Sequence, residues 1–189
     1  MGGKIVNMLL QFFVSLATAR YLGPSNFGTI NYVAAFVSFF SSIASLGLAV
    51  IVIKEIATDK YDNNEVIWTS IWMRFGTAIL STISIIALMF VTNQDDPMIV
   101  QIAFLESLSI VFSSFDTMNY YFQAKLLSKW SSIAGVLAYI GMSLYRIYLL
   151  ATNADIVWFA FATSTDMIFL TVFLMIFYIR IEGFRPKFN

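Results

Sequence analysis

Six apolar stretches alternate with short polar breaks along the chain, at about residues 4–20, 29–53, 66–91, 98–122, 131–152 and 156–179. Each is close to the roughly 20 residues that a helix needs to cross a bilayer core. The breaks carry turn formers and charges: GPSN, TDKYDNNE, TNQDDP, AKLLSKW and TNAD. The pattern predicts an all-α integral membrane protein, a six-helix transmembrane bundle over residues 1–180. In the first break Gly23 suits a helix C-terminus and Pro24 cannot continue a helix. A tight hairpin between two crossings is expected there. Ala17-Thr18-Ala19 resembles a signal-peptide cleavage site. The charged region before it is weak and five apolar stretches follow, so the first stretch reads as an uncleaved anchor.

Polar residues inside the stretches matter more than those between them. Arg74, Glu106, Asp116, Arg146 and Asp166 each fall within an apolar segment. A charge at a lipid-facing helix centre costs about 2.5–3.5 kcal/mol, so these side chains are expected to face the bundle interior, a partner or water. In the fourth stretch Glu106, Ser109, Ser113, Asp116, Tyr120 and Gln123 recur at steps of three and four and form one helical stripe. Such a stripe either lines a wet, substrate-bearing cavity or hydrogen-bonds to neighbouring helices.

Depth suggests pairings. At 1.5 Å rise per residue, Arg74 and Asp116 lie about 12 and 9 Å from one end of their helices. Arg146 and Glu106 lie about 9 and 12 Å from the other. Arg74–Asp116 and Glu106–Arg146 are therefore the expected pairs, either holding the bundle together or contacting substrate. Asp166, near mid-bilayer, has no cation at matching depth; it is either protonated or paired outside this chain. Arg20 either reaches for headgroups or points into a cavity.

Composition narrows the chemistry. With 59% hydrophobic and 12% charged residues, the 189-residue chain has a membrane composition rather than a soluble one. It contains no cysteine and no histidine. That excludes disulfides, thiolate and imidazole catalysis, and Cys/His metal sites. No phosphate-binding glycine loop or nucleophile elbow is present. The chain is expected not to be an enzyme, with no catalytic residues, metal or cofactor, and its zero net charge gives no hint of nucleic acid.

The distribution of charge sets an orientation. If the six crossings alternate, Lys4, Lys54, Lys60, Lys125, Lys129, Arg180, Arg185 and Lys187 share one side, and Arg20 is the basic residue left on the other. Basic loops stay cytoplasmic, which places both termini there. Trp68, Trp72, Trp130 and Trp158 lie near the ends of their stretches, where amphipathic rings favour the interface.

The segment ARYLGPSNFG, with INYVAAFVSFFSSIASLGLAVIVIKEIA after it, resembles the start of bacterial Wzx-type polysaccharide flippases. These belong to the multidrug/oligosaccharidyl-lipid/polysaccharide exporter superfamily. The likeness rests on Arg20, Leu22-Gly23-Pro24, Phe27, Gly28, Gly47-Leu48 and the closing Lys54-Glu55. FRPKFN resembles the family's basic linker, so residues 181–189 are expected to lead towards a second bundle absent from this chain. The resemblance implies one lobe of a two-bundle transporter in the bacterial inner membrane. Its function would be to flip undecaprenyl-pyrophosphate-linked oligosaccharide by alternating access. Arg20, Arg74 and Arg146 would suit the diphosphate, and Asn119 and Gln123 the sugars. Glu106, Asp116 and Asp166 would balance the arginines or couple a cation, H+ or Na+. Two rival expectations stand beside it: a cation-coupled multidrug exporter of the same superfamily, and a non-transporting membrane scaffold.

Overall fold

The computed structural model describes residues 2–45, 47–58 and 61–183, with side chains from Phe12 onward. Most of the expected linker at 181–189, together with Lys4, Lys60, Arg185 and Lys187, therefore falls outside the described side chains. The described chain is helical throughout, broken by short turns: α1 Gly2–Ala44, α2 Leu48–Ala57, α3 Asn63–Thr92, α4 Pro97–Ser113, a 3₁₀ turn Ser114–Asp116, α5 Thr117–Ala124, α6 Ser128–Ala151 and α7 Ile156–Glu182. Five helical segments are long and apolar enough to cross a membrane: Phe12–Ala44, Asn63–Thr92, Pro97–Ala124, Ser128–Ala151 and Ile156–Glu182.

The count differs from the six expected because the first two stretches fall in one element, α1. That element is bent at Gly23, whose φ of 74° and ψ of 169° are non-helical. The region is essentially closed to residues with a Cβ, and Pro24 follows it inside the helix. The bend is severe. Ser15 and Ala34 would stand about 28 Å apart along an unbroken helix, yet both line one cavity. At the bend, Tyr21 donates to the Ala154 carbonyl at 3.1 Å and packs on Phe159, fixing it to the α6–α7 turn.

The second stretch also ends sooner than expected. It stops at Ala44 rather than continuing to 53, because Gly47 adopts a left-handed φ of 63° and starts α2 as a separate helix. Thr77 Oγ1 donates to the Ala44 carbonyl at 3.0 Å, one of the helix-end acceptors left without an intrahelical donor.

Three of the remaining helices, α3, α4 and α7, start on acidic caps. Asp62 accepts from the Asn64 N–H at 2.9 Å, Asp96 from Met98 at 3.0 Å and Asp155 from Ile156 at 2.7 Å. The acids in the breaks thus do local work that any helix start favours. Short turns make α3, α4–α5, α6 and α7 antiparallel neighbours, with α7 packed against both α4 and α6.

Two apolar clusters fill the bundle. One, at the end carrying the Gly23 bend, joins Val33, Ala78, Ile85, Ile102, Met142 and Phe159. The other, towards the basic end, joins Ile56, Ile67, Met118, Phe122, Leu174 and Tyr178. Along the chain, Arg74, Asp116, Thr117 and Asp166 all fall between the residues of the first cluster and those of the second.

Candidate functional site

The fourth stretch carries the polar stripe, and its local folding decides where that stripe goes. Small residues let α4 sit close to its neighbours: Ala103 and Ser107 on α4, Ala162 and Ser164 on α7, Ala78 and Ser81 on α3 are all buried. Ser164 Oγ donates to the Leu105 carbonyl, and Thr82 Oγ1 donates to the Ser107 carbonyl at 3.3 Å. Glu106 is carried into this packing and is 0% exposed. Neither of its carboxylate oxygens has a hydrogen-bond partner among the described residues.

One turn further, the helix tightens to 3₁₀ at Ser114–Asp116, a geometry with fewer residues per turn that changes which side chains face a neighbour. Thr117 and Tyr120 then meet Arg74. The guanidinium donates to Thr117 Oγ1 at 3.2 Å and to the Tyr120 hydroxyl at 3.4 Å, and it lies 5.8 Å from the Tyr120 ring centre. Arg74 is 6% exposed, and Asp116 feels its charge. Asp116 Oδ1 itself accepts from the Asn119 amide at 3.3 Å, and the Asn119 oxygen accepts from Ser131 on α6. The expected Arg74–Asp116 partnership is present as an electrostatic one, while the arginine's hydrogen bonds go to Thr117 and Tyr120.

A second group of charges lines two cavities. The first, of about 170 Å³, lies between the two arms of α1, α4, α6 and α7, and is lined by Ser15, Thr18, Asn31, Glu106, Arg146 and Thr163 among others. The second, of about 310 Å³, lies beside the first arm of α1 and is lined by Val14, Ser15, Tyr139, Ser143, Arg146 and Asp166 among others. Ser15 and Arg146 belong to both. Arg146 and Asp166 line the same cavity, each near enough to feel the other's charge.

This corrects two expectations. Asp166 does have a cation in this chain, and Arg146 has Asp166 rather than Glu106 as its charge partner. Depth matching missed the pair because it compared backbone levels, whereas arginine's long, flexible side chain reaches well beyond its own level.

The other candidates separate. Gln123 is exposed, so the stripe does not continue to its end. Asn119 is half-buried and engaged between Asp116 and Ser131. Arg20 is exposed near the Gly23 bend and lies on neither of the two cavities. Thr117, Thr18, Asn31, Tyr139 and Thr163 went unnoticed in the sequence. A polar position in the first two stretches facing the same way as Glu106 was the available signal, but only the bend at Gly23 brings the two arms together. Among the described residues no group of three or more acids is placed to hold a metal ion.

The helices and cavities define an all-helical, multi-pass membrane protein with ionisable groups on internal walls. The chain belongs to the polysaccharide biosynthesis protein family, whose family model matches residues 1–189. Neither the curated proteins nor the solved structures contain a match to it.

Proposed function

We propose that the protein is a transporter that moves a lipid-linked oligosaccharide across the bacterial cytoplasmic membrane by alternating access, in the manner of a Wzx-type flippase. It is not an enzyme on this reading, and it works together with a second helical bundle. The arms of α1 on either side of Gly23 are taken as two crossings, giving six, with the basic end cytoplasmic.

One observation carries the proposal. The second arm of α1 exposes Ser25, Gly28, Asn31, Ser38 and Ser42, interleaved with Tyr32, Phe39 and Ile43, along its length, and Asn31 opens onto the cavity that holds Glu106 and Arg146. The outer faces of the other helices are more apolar: Ile79, Leu80 and Ile83 on α3, Ile140, Leu144 and Ile147 on α6, Val172 and Ile176 on α7. Lipid suits the second kind of surface better than the first. The α1 face is therefore assigned to the transport path between this bundle and its counterpart. A polar path exposed to one side and then the other is what a charged, sugar-bearing headgroup requires. Of the three candidate arginines, Arg20 and Arg146 remain available to a diphosphate, whereas Arg74 is taken up by Thr117 and Tyr120.

The chain lacks cysteine, so single cysteines give a clean test. In native membranes, Asn31→Cys and Ser38→Cys should react with a membrane-impermeant thiol reagent, and Ile140→Cys on α6 should not. Equal protection of all three would place the α1 face in lipid and remove the basis for a path there. Loss of surface polysaccharide in a strain carrying Arg146→Ala would then tie the cavity to transport.

A second reading has its own support. The joined cavities hold two carboxylates to one arginine, a balance that suits small organic cations. Drug sensitivity of a deletion strain with unchanged surface glycan would favour that exporter.

A further inference from the structure

Arg146 stands where the two cavities meet, with Asp166 on the wall of one and Glu106 on the wall of the other. Two carboxylates and one guanidinium thus share the walls of these cavities, Glu106 fully buried and Arg146 and Asp166 half-buried. A buried carboxylate left without a counter-charge or hydrogen bonds is strongly disfavoured. Asp166 has Arg146. Glu106 has neither hydrogen-bond partner nor ion pair among the described residues. Other groups do not supply the missing charge. The remaining polar lining of its cavity is Ser15, Thr18 and Asn31 from α1 and Thr163 from α7, none of them ionisable. The second cavity adds Ser143, which is not ionisable, and Tyr139. On α3, Arg74 is held by Thr117 and Tyr120.

We infer that Glu106 carries an exchangeable proton, and that Arg146 passes between Asp166 and Glu106 as that proton leaves and returns. The step balances. The O–H bond of Glu106 breaks and the proton goes to solvent in the first cavity. The carboxylate left behind attracts the guanidinium, which leaves Asp166. Asp166, now without a counter-charge, takes up a proton from the second cavity. Net charge in the site is unchanged, and one proton has been released on one side of Arg146 and bound on the other. A single side chain can be in only one of the two places, so the exchange has two discrete states. Its consequence for transport rests on the flippase reading above; the exchange itself does not.

The experiment is infrared spectroscopy of the whole protein in lipid vesicles at neutral pH, reading the C=O stretch of protonated carboxyl groups. The wild type should show such a band that is lost in Glu106→Gln. Asp166→Asn should lose the same band, although Glu106 is intact, because Arg146 then has only Glu106 to pair with. Arg146→Gln should gain a second band, since both acids are then without a cation. Persistence of the Glu106 band in Asp166→Asn would show that Arg146 does not move and would overturn the inference. So would a wild type with no Glu106-dependent band, and a sodium-dependent shift of the carboxylate stretch in that case would assign the site to Na+ instead. Glu106→Gln and Asp166→Asn are isosteric, and retained helicity by circular dichroism separates misfolding from loss of a proton in all three variants. If the bands behave as expected but Glu106→Gln transports normally, the exchange stands and its link to transport fails.

Discussion

Arg74 and Arg146 are both arginines inside membrane helices, each within reach of an acid, yet the bundle treats them oppositely. Arg74 lies between the two apolar clusters, 6% exposed, with its donors fixed on Thr117 and Tyr120. Arg146 is half-buried and forms a wall common to two cavities. The first is held in place by two hydrogen bonds and the Tyr120 ring. The second has one acid beside it, another across a cavity, and space to move. A buried charge held by fixed neighbours is a structural element; one with a choice of partners is a site.

Four substitutions sharpen or break that contrast. Arg74→Ala should have the largest effect on stability, about 3–5 kcal/mol, because Asp116 is stranded without its nearby positive charge. A thermal melt in detergent measures it, and adding Asp116→Asn should recover part of the loss. Arg146→Ala should cost less, about 1–2 kcal/mol, because the cavities let solvent reach Asp166. Its effect on surface polysaccharide should be larger, about tenfold or more, equivalent to ~1.4 kcal/mol at the transport barrier. A melting loss as great as that of Arg74→Ala would erase the distinction between the two arginines. Tyr120→Phe removes one acceptor from Arg74 and should lower stability by about 1 kcal/mol, with transport unchanged. Arg20→Ala should shift the melt by no more than about 0.5 kcal/mol. Reduced surface polysaccharide would place Arg20 on the substrate path, and normal levels would leave it at the headgroups.

The bend at Gly23 and the break at Gly47 show how a local rule succeeds and where it stops. Gly23-Pro24 announced a turn correctly, because positive φ and a missing N–H are properties of single residues. Gly47 went unread as a helix break because it lies in an unbroken run of apolar and small residues, and periodicity carries no information on dihedral angles there. The 3₁₀ turn at Ser114–Asp116 was invisible for the same reason, and it moved Arg74's hydrogen bonds onto Thr117, a residue off the expected stripe.

Hydropathy by itself determined that the chain is helical and membrane-spanning, because lipid leaves the backbone no partner but itself. It also determined which charges must be inside, since each would be too costly against lipid. The tertiary structure alone decided which charge meets which. Pairing depends on helix rotation, on close approaches allowed by Ala103, Ser107 and Ser164, and on the reach of a long side chain. None of these is a function of sequence spacing, so Asp166 found Arg146 while the Glu106 carboxylate, on the wall of the other cavity, has no hydrogen-bond partner among the described residues.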